Sequence, residues 1–166
     1  MSGVYSKKTN NEVSSNFKKQ VVELQQTLIN NSHLENVGVG TEKNPIINNS
    51  DKVPIKHFFM ESVYIREMKM YMGTAVIGAI HKHKHMCFLL SGHLIVADEN
   101  GTKDYKAPCY IISNPGVKRV LYACEDSVWY NIHENKENTR DINKIEKNLV
   151  SVNYKEYEQY INNKNK

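Results

Sequence analysis

The spacing of apolar residues changes twice along the chain. Phe17, Val21, Leu24 and Leu28 recur at helical spacing. With Ser14 or Ser15 as the cap, they predict an amphipathic helix of about four turns ending at Asn30-Asn31. Ser32–Asp51 carries Gly38, Gly40, Pro45 and the run Asn48-Asn49-Ser50, and reads as a linker or irregular crossing segment. From Val53 to His133 the pattern becomes one of short strands. The candidates are His57–Phe59, Val63–Met70, Thr74–His81, His85–Leu90, His93–Ala97, Cys109–Ser113, Val117–Cys124 and Ser127–His133. Turn chemistry separates them at Met72-Gly73, Ser91-Gly92, Asp98–Gly101, Asn114–Gly116 and Glu125-Asp126. Strands at this spacing predict a sandwich or barrel, not a parallel sheet with helical crossovers. After His133 the helical period returns. Ile142, Ile145 and Leu149 form one stripe, with Asn138 or Asp141 as cap, and Tyr154, Tyr157, Tyr160 and Ile161 form another. The expected organisation is a tail, helix and linker over 1–52, a β-barrel over 53–133, and a helical tail over 134–166.

Composition narrows the function classes. The longest apolar runs, Thr74–Ile80 and Met86–Leu90, are strand-sized, far short of the roughly 20 residues that span a bilayer. Met1–Lys8 lacks the apolar core of a signal peptide, so the expected location is a cytoplasm or a particle assembled there. Cys87, Cys109 and Cys124 show no CxxC spacing, which argues against a disulfide framework and a thiolate zinc site. The net charge of +4 comes from scattered lysines with no basic stripe interleaved with aromatics, which argues against a nucleic-acid partner. The chain has no Ser-His-Asp order, Walker loop or GxGxxG.

Candidate chemistry centres on His81, His83 and His85, three of the seven histidines within five residues. On an extended strand they share a face. If Lys82–Lys84 form a tight turn, the flanking residues converge across a hairpin instead. Either way imidazoles meet, and neutral imidazole binds divalent transition metals, here Zn, Fe, Ni or Mn. Binding to such a site is expected to weaken as pH falls through about 6.5, the value for free imidazole. The plain alternative is a solvated basic turn in which Lys82 and Lys84 oppose a dication. Tyr64, Arg66, Met68 and Met70 alternate with Ile65, Glu67 and Lys69. They line a pocket, or belong to a barrel strand with one solvated face. Trp129 reads as core or pocket wall. Cys87 shares a face with His85 on a regular strand, as a ligand, a nucleophile or a small packed apolar residue. His57 and His93 read as surface or hydrogen-bonded residues.

The stretch Gly73–Gly92, containing HKHKHMCFLLSG, resembles the first cupin motif, a Gly and a His-x-His, then a Glu, six residues and a Gly. Counting back from Gly92 places His85 at the Glu position, and His81 and His83 supply the His-x-His. Asn114-Pro-Gly-Val-Lys-Arg119 resembles the second motif, Pro-x-Gly-x-x-His, with one residue missing and Arg119 where the last ligand stands. Over residues 57–149 the chain resembles small cupin-like proteins of tailed phages, through HFFMESVYIREM, GAIHKHKHMCFLLSGHLIV and NPGVKRVLYACEDSVWYNIH. The resemblance implies a mainly β fold, a single double-stranded β-helix or jelly-roll barrel with flanking helices, and a phage setting in host cytoplasm or virion.

His133 is the candidate replacement for the missing ligand. If Glu125-Asp126 closes a two-residue hairpin, Lys118 pairs with His133, and Arg119 faces the other way. An unbulged hairpin then points either Arg119 or His133 inward. With His133 inward the metal set is His81, His85 and His133. With Arg119 inward the pocket suits an anion or carboxylate, with Tyr64, Arg66 and Trp129 as further candidate ligand-binding residues. The leading functional reading is a phage-encoded binding or assembly protein without enzymatic activity, acting as a dimer or trimer and partnering other phage proteins. The alternatives are a metal-dependent enzyme of dioxygenase or isomerase type and a small-ligand sequestering protein.

Overall fold

The computed structural model describes residues 10–30, 37–39 and 53–164, with side chains over 14–30 and 53–164. The expected polar tail before residue 10 and most of the expected linker lie outside the described residues. Helix α1 runs Asn10–Asn30, so it begins upstream of Ser14 and Ser15, and neither residue caps it. Among the described residues twelve strands follow: β1 Val37–Val39, β2 Ile55–Met60, β3 Val63–Met70, β4 Ala75–Ile77, β5 Ile80–His81, β6 His85–Ser91, β7 His93–Asp98, β8 Gly101–Lys106, β9 Cys109–Ser113, β10 Val120–Ala123, β11 Ser127–Glu134 and, between helices α2 Ile142–Leu149 and α3 Tyr154–Lys164, β12 Val150–Ser151. They form two five-stranded sheets, ordered β1-β4-β10-β7-β8 and β2-β3-β11-β6-β9, and the small pair β12-β5. This is a mainly β barrel of the double-stranded β-helix kind, with helices at both ends.

The barrel arises because the chain crosses repeatedly between the two sheets, with only β2-β3 and β7-β8 staying within one sheet as hairpins. β6 lies in one sheet and β7 in the other, and so do β11 and β10. The inner faces pack Met68, Met70, Val76, Leu89, Leu94 and Trp129 into one buried cluster. A second cluster closes one end, where Ile145, Leu149 and Val150 pack on Tyr64. The C-terminal segment is therefore built onto the barrel, and β12 pairs Val150 with His81. Asp141 caps α2 by accepting from the Lys144 N–H at 3.2 Å. Asn153 accepts from the Glu156 N–H at 2.9 Å while the Glu156 carboxylate accepts from the Val152 N–H at 3.0 Å, a reciprocal start for α3.

The Glu125-Asp126 turn does not close a hairpin. β10 pairs with β4 and β7, whereas β11 pairs with β3 and β6. The turn carries the chain from one sheet to the other, so the expected pairing of Lys118 with His133, which allowed only one of Arg119 and His133 to point inward, does not exist. Both residues reach the barrel interior.

Candidate metal centre

Three elements bring the imidazoles together. His81 ends β5, His85 opens β6, and His133 lies near the end of β11. Lys82–Lys84 bend the chain between the first two, but they close no hairpin, because β5 pairs with β12 and β6 with β9 and β11. Ring centroids are 4.1 Å apart for His81 and His85, 4.5 Å for His85 and His133, and 5.1 Å for His81 and His133. One ligand atom from each lies within 4.8 Å of the other two. Nitrogens at zinc-binding distance in a tetrahedron stand roughly 3.4 Å apart, so modest side-chain rotations seat an ion.

The proton inventory fits a metal. His85 Nδ1–H donates to the His83 carbonyl at 3.2 Å, and this leaves Nε2 as the lone-pair nitrogen. That Nε2 is buried and has no hydrogen-bond partner, and the same holds for Nδ1 of His81. Orphaned buried nitrogens are costly unless something unseen binds them. His81 as a whole residue is only half-buried, but this nitrogen is out of solvent. All three rings stay neutral. Burial first, then the neighbouring His85 and His133 and the Arg66 and Arg119 guanidinia, hold His81 well below the usual histidine range. Burial, His85, Arg66 and His83 do the same for His133. Burial pushes His85 down to about 4, helped by Arg119 and partly offset by its bond to the His83 carbonyl.

These shifts give an acid-linked stability. Between about pH 6.5 and 4 the unfolded chain protonates imidazoles that the folded chain keeps neutral, so stability is present above the unfolded value and lost as pH falls. For His85 alone, the loss from pH 7 to pH 5 is about 2 kcal/mol, and His81 and His133 act in the same direction. Urea titrations of metal-free protein at the two pH values are expected to show it, with a shallower dependence in His133→Gln. Equal pH dependence in wild type and variant refutes the assignment. Proton competition with a bound metal is correspondingly expected nearer pH 4 than 6.5.

His83 does not join the cluster. It is exposed, its Nε2 lies 3.2 Å from the Asn148 carbonyl, and it meets Tyr160 edge-on. Lys82 donates to the Lys147 carbonyl at 2.8 Å and sits 3.6 Å from Glu156. The turn is thus neither a set of three ligands nor merely solvated, because its side chains latch α2 and α3 onto the barrel.

Beside the cluster lies a pocket of about 80 Å³, walled in part by Arg66, Met68, Cys87, Arg119, Trp129 and Asn131. The alternating face of β3 therefore points inward. Arg66 sits 3.7 Å from Glu146 of α2. Arg119 donates to Ser113 Oγ at 2.7 Å and lies 3.9 Å from Asp98. Tyr64 is not on the pocket wall. It stacks behind His133 at 6.1 Å, and its hydroxyl meets His57 Nδ1 at 2.7 Å. His93 pairs with Asp104 at 2.8 Å. The Cys87 thiol donates to Asn131 Oδ1 at 3.2 Å, beside the Trp129 indole N–H at 3.0 Å, and burial pushes the thiol up to about 12. It is a packed thiol and not a thiolate nucleophile. Asn131, Ser113 and Asp98 were not among the expected site residues. Asn131 alone had a sequence signal, since it falls between Trp129 and His133 on one face of β11.

No protein-family model matches the chain, and no curated protein does. Several solved structures are similar to it. A cupin 2 conserved barrel domain protein from Salinispora arenicola is 8% identical over 58% of this chain and 87% of its own, with a TM-score of 0.45. KdgF from Halomonas sp. is 14% identical over 56% of this chain and 86% of its own, with a TM-score of 0.47. Ectoine synthase from P. lautus is 11% identical over 52% of this chain and 66% of its own, with a TM-score of 0.46. The barrel assignment itself rests on the strand order and register of this chain.

Proposed function

We propose that the protein is a metal-dependent binding module. His81, His85 and His133 hold one divalent transition ion, and the adjoining pocket takes a small carboxylate-bearing ligand. The observation that carries this reading is the set of three neutral imidazoles converging with buried, partnerless nitrogens. An all-imidazole set favours Zn, Fe or Ni over Mn. Bound there, an ion would be held by these three imidazoles among the described residues and would supply a Lewis-acid centre. Arg119, fixed by Ser113, and Arg66 place guanidinium donors on the pocket wall that suit a carboxylate, each also facing one protein carboxylate, Asp98 and Glu146. Trp129 and Met68 form its apolar wall. Among the described residues no Asp or Glu lines this pocket, so no protein carboxylate stands ready as general acid or base. That favours binding over catalysis. An enzyme of dioxygenase or isomerase type is the second reading, supported by the Lewis-acid centre that an ion at the three imidazoles would supply. Equilibrium dialysis of metal-free protein against zinc, nickel and iron(II) tests the proposal. One ion per chain is expected, and no binding at micromolar concentration sinks it.

Self-association is the second part of the proposal. Phe58, Ile65, Ile132, Met86 and Ile112 are cross-strand partners in one row over the outer face of the β2-β3-β11-β6-β9 sheet. Phe58, Met86 and Ile112 are exposed there, and so are Tyr110 and Leu90. An apolar row across a whole sheet face is the kind of surface that two copies cover by a two-fold contact. Light scattering is expected to give a dimeric mass for wild type and a monomeric mass for Met86→Glu, and a monomeric wild type at micromolar concentration defeats it. The resemblance to phage-encoded proteins is what supports a virion or host-directed role, and mass spectrometry of purified virions separates those two.

A further inference from the structure

Lys118 and Arg119 are adjacent but serve different cavities. Arg119 points into the barrel beside the histidines. Lys118 lies on the wall of a separate cavity of about 80 Å³ between α1 and the barrel. Only 3% of Lys118 is exposed, and its ammonium donates to the Gly78 carbonyl at 2.9 Å. It makes no ion pair among the described residues. An ammonium has three donors, and a buried one without an anion is unfavourable. Tyr154, at the start of α3, lines the same cavity, and its buried hydroxyl has no partner. The ammonium spends one of its three donors on Gly78 and the hydroxyl has no partner, and both residues line one small cavity. The rest of the wall includes the apolar Val22, Ile29 and Ile80.

We propose that this cavity is a second ligand site, which takes a short aliphatic carboxylate between the Lys118 ammonium and the Tyr154 hydroxyl. The chemistry selects the ligand class. A carboxylate accepts from both donors and supplies the charge that Lys118 lacks. Space for two or three waters, at about 30 Å³ each, holds an anion the size of acetate or propionate. Val22, Ile29 and Ile80 suit a methyl or ethyl group, and the other polar wall residues, Gln25, Gln26 and Asn153, bring no second positive charge for a dianion such as sulfate. Because α1 forms one side, an occupied site also fastens this helix to the barrel. The site does not depend on a metal at the histidines.

Burial lowers Lys118 to about 8, and the other titratable group on this wall, Tyr154, is pushed up to about 12 by burial and Glu99. An incoming anion favours the ammonium, so binding near pH 8 takes up a fraction of a proton. Isothermal titration of the full chain with sodium acetate and sodium propionate, in two buffers of different ionisation enthalpy, reads both affinity and proton uptake. One carboxylate per chain is expected, with proton uptake at pH 8 that vanishes at pH 6. Lys118→Met is expected to weaken binding at least tenfold, and Tyr154→Phe, which removes one oxygen and keeps the ring, several-fold. If Lys118→Met fails to fold, Tyr154→Phe and acetate-induced amide shifts at Ile80 and Val152 decide. Absence of binding to folded wild type overturns the proposal. So does binding that survives both variants, or that is lost in Arg119→Leu and retained in Lys118→Met.

Discussion

His85→Ala is expected to abolish stoichiometric uptake of zinc, nickel or iron(II), while His83→Ala, two residues away, leaves uptake within a few-fold of wild type. Structural zinc sites contribute about 10–16 kcal/mol from four ligands, so one ligand is worth roughly 3–4 kcal/mol, or two to three orders of magnitude in affinity. With only three imidazoles in the set, the loss of one leaves two, too few to hold an ion against water at micromolar concentration. His83 is a sharp control because its imidazole lies on the outside, against Asn148, while its backbone carbonyl receives the His85 Nδ1 proton. Alanine keeps that carbonyl, so the tautomer of His85 survives the change. Equal loss of metal in His83→Ala and His85→Ala would show that the turn rearranges around the ion, and retention of metal in His85→Ala would place the ion elsewhere. Metal content of protein purified without a polyhistidine tag, and dialysis against each ion, supply the measurement.

The strands of this barrel are legible in the sequence where one face is core and the other is not. Val63–Met70 is legible because Met68 and Met70 fill the barrel while Glu67 and Lys69 face outward, although Ile65 on the outer face and Arg66 on the inner one break the alternation. β8, Gly101–Lys106, is absent from the expected strands because it is an edge strand whose residues, apart from Tyr105, are exposed, so its sequence GTKDYK carries no alternation. β12 is two residues wedged between helices, and β1 is three residues inside a Gly-rich stretch, both too short for a periodic signal. The site is half legible. His81 and His85 are neighbours in sequence, and a short bend brings them together. His133 and Arg119 depend on which sheet each strand joins. Local turn chemistry at Glu125-Asp126 suggests a hairpin, and the barrel overrides it by sending β10 and β11 to opposite sheets. No local rule contains that information, because it is the burial of Leu121 and Ala123 on one inner face and Trp129 on the other that decides it. The motif glycine at position 92 has a physical meaning that the resemblance alone does not reveal.

Gly92→Ala is expected to unfold the barrel or leave it destabilised by more than about 4 kcal/mol, a large share of the roughly 5–15 kcal/mol that holds a domain together. Gly92 sits where the chain passes from β6 in one sheet to β7 in the other. Its φ of +87° is disfavoured for any residue with a Cβ. A Cβ there would also collide with Ser127 Oγ and the Asp126 carbonyl oxygen, and stand 2.7 Å from Ser127 Cα. Two of these atoms are backbone, so no rotamer change relieves them. Asp126 and Ser127 form the reverse crossing, from β10 into β11. The two crossings are bonded together, since the His93 N–H donates to Ser127 Oγ at 3.1 Å and the Cys124 N–H to the His93 carbonyl at 2.9 Å. Forcing them apart strains both sheets where they join. Gly73→Ala separates the two contributions, because Gly73 has a similar φ of +82° and a methyl group there would meet nothing within 4 Å. It is expected to cost only the backbone share, about 1–2 kcal/mol. Guanidinium titrations of both variants give the comparison, and a Gly92→Ala protein no less stable than Gly73→Ala would show that the two crossings are not packed as described.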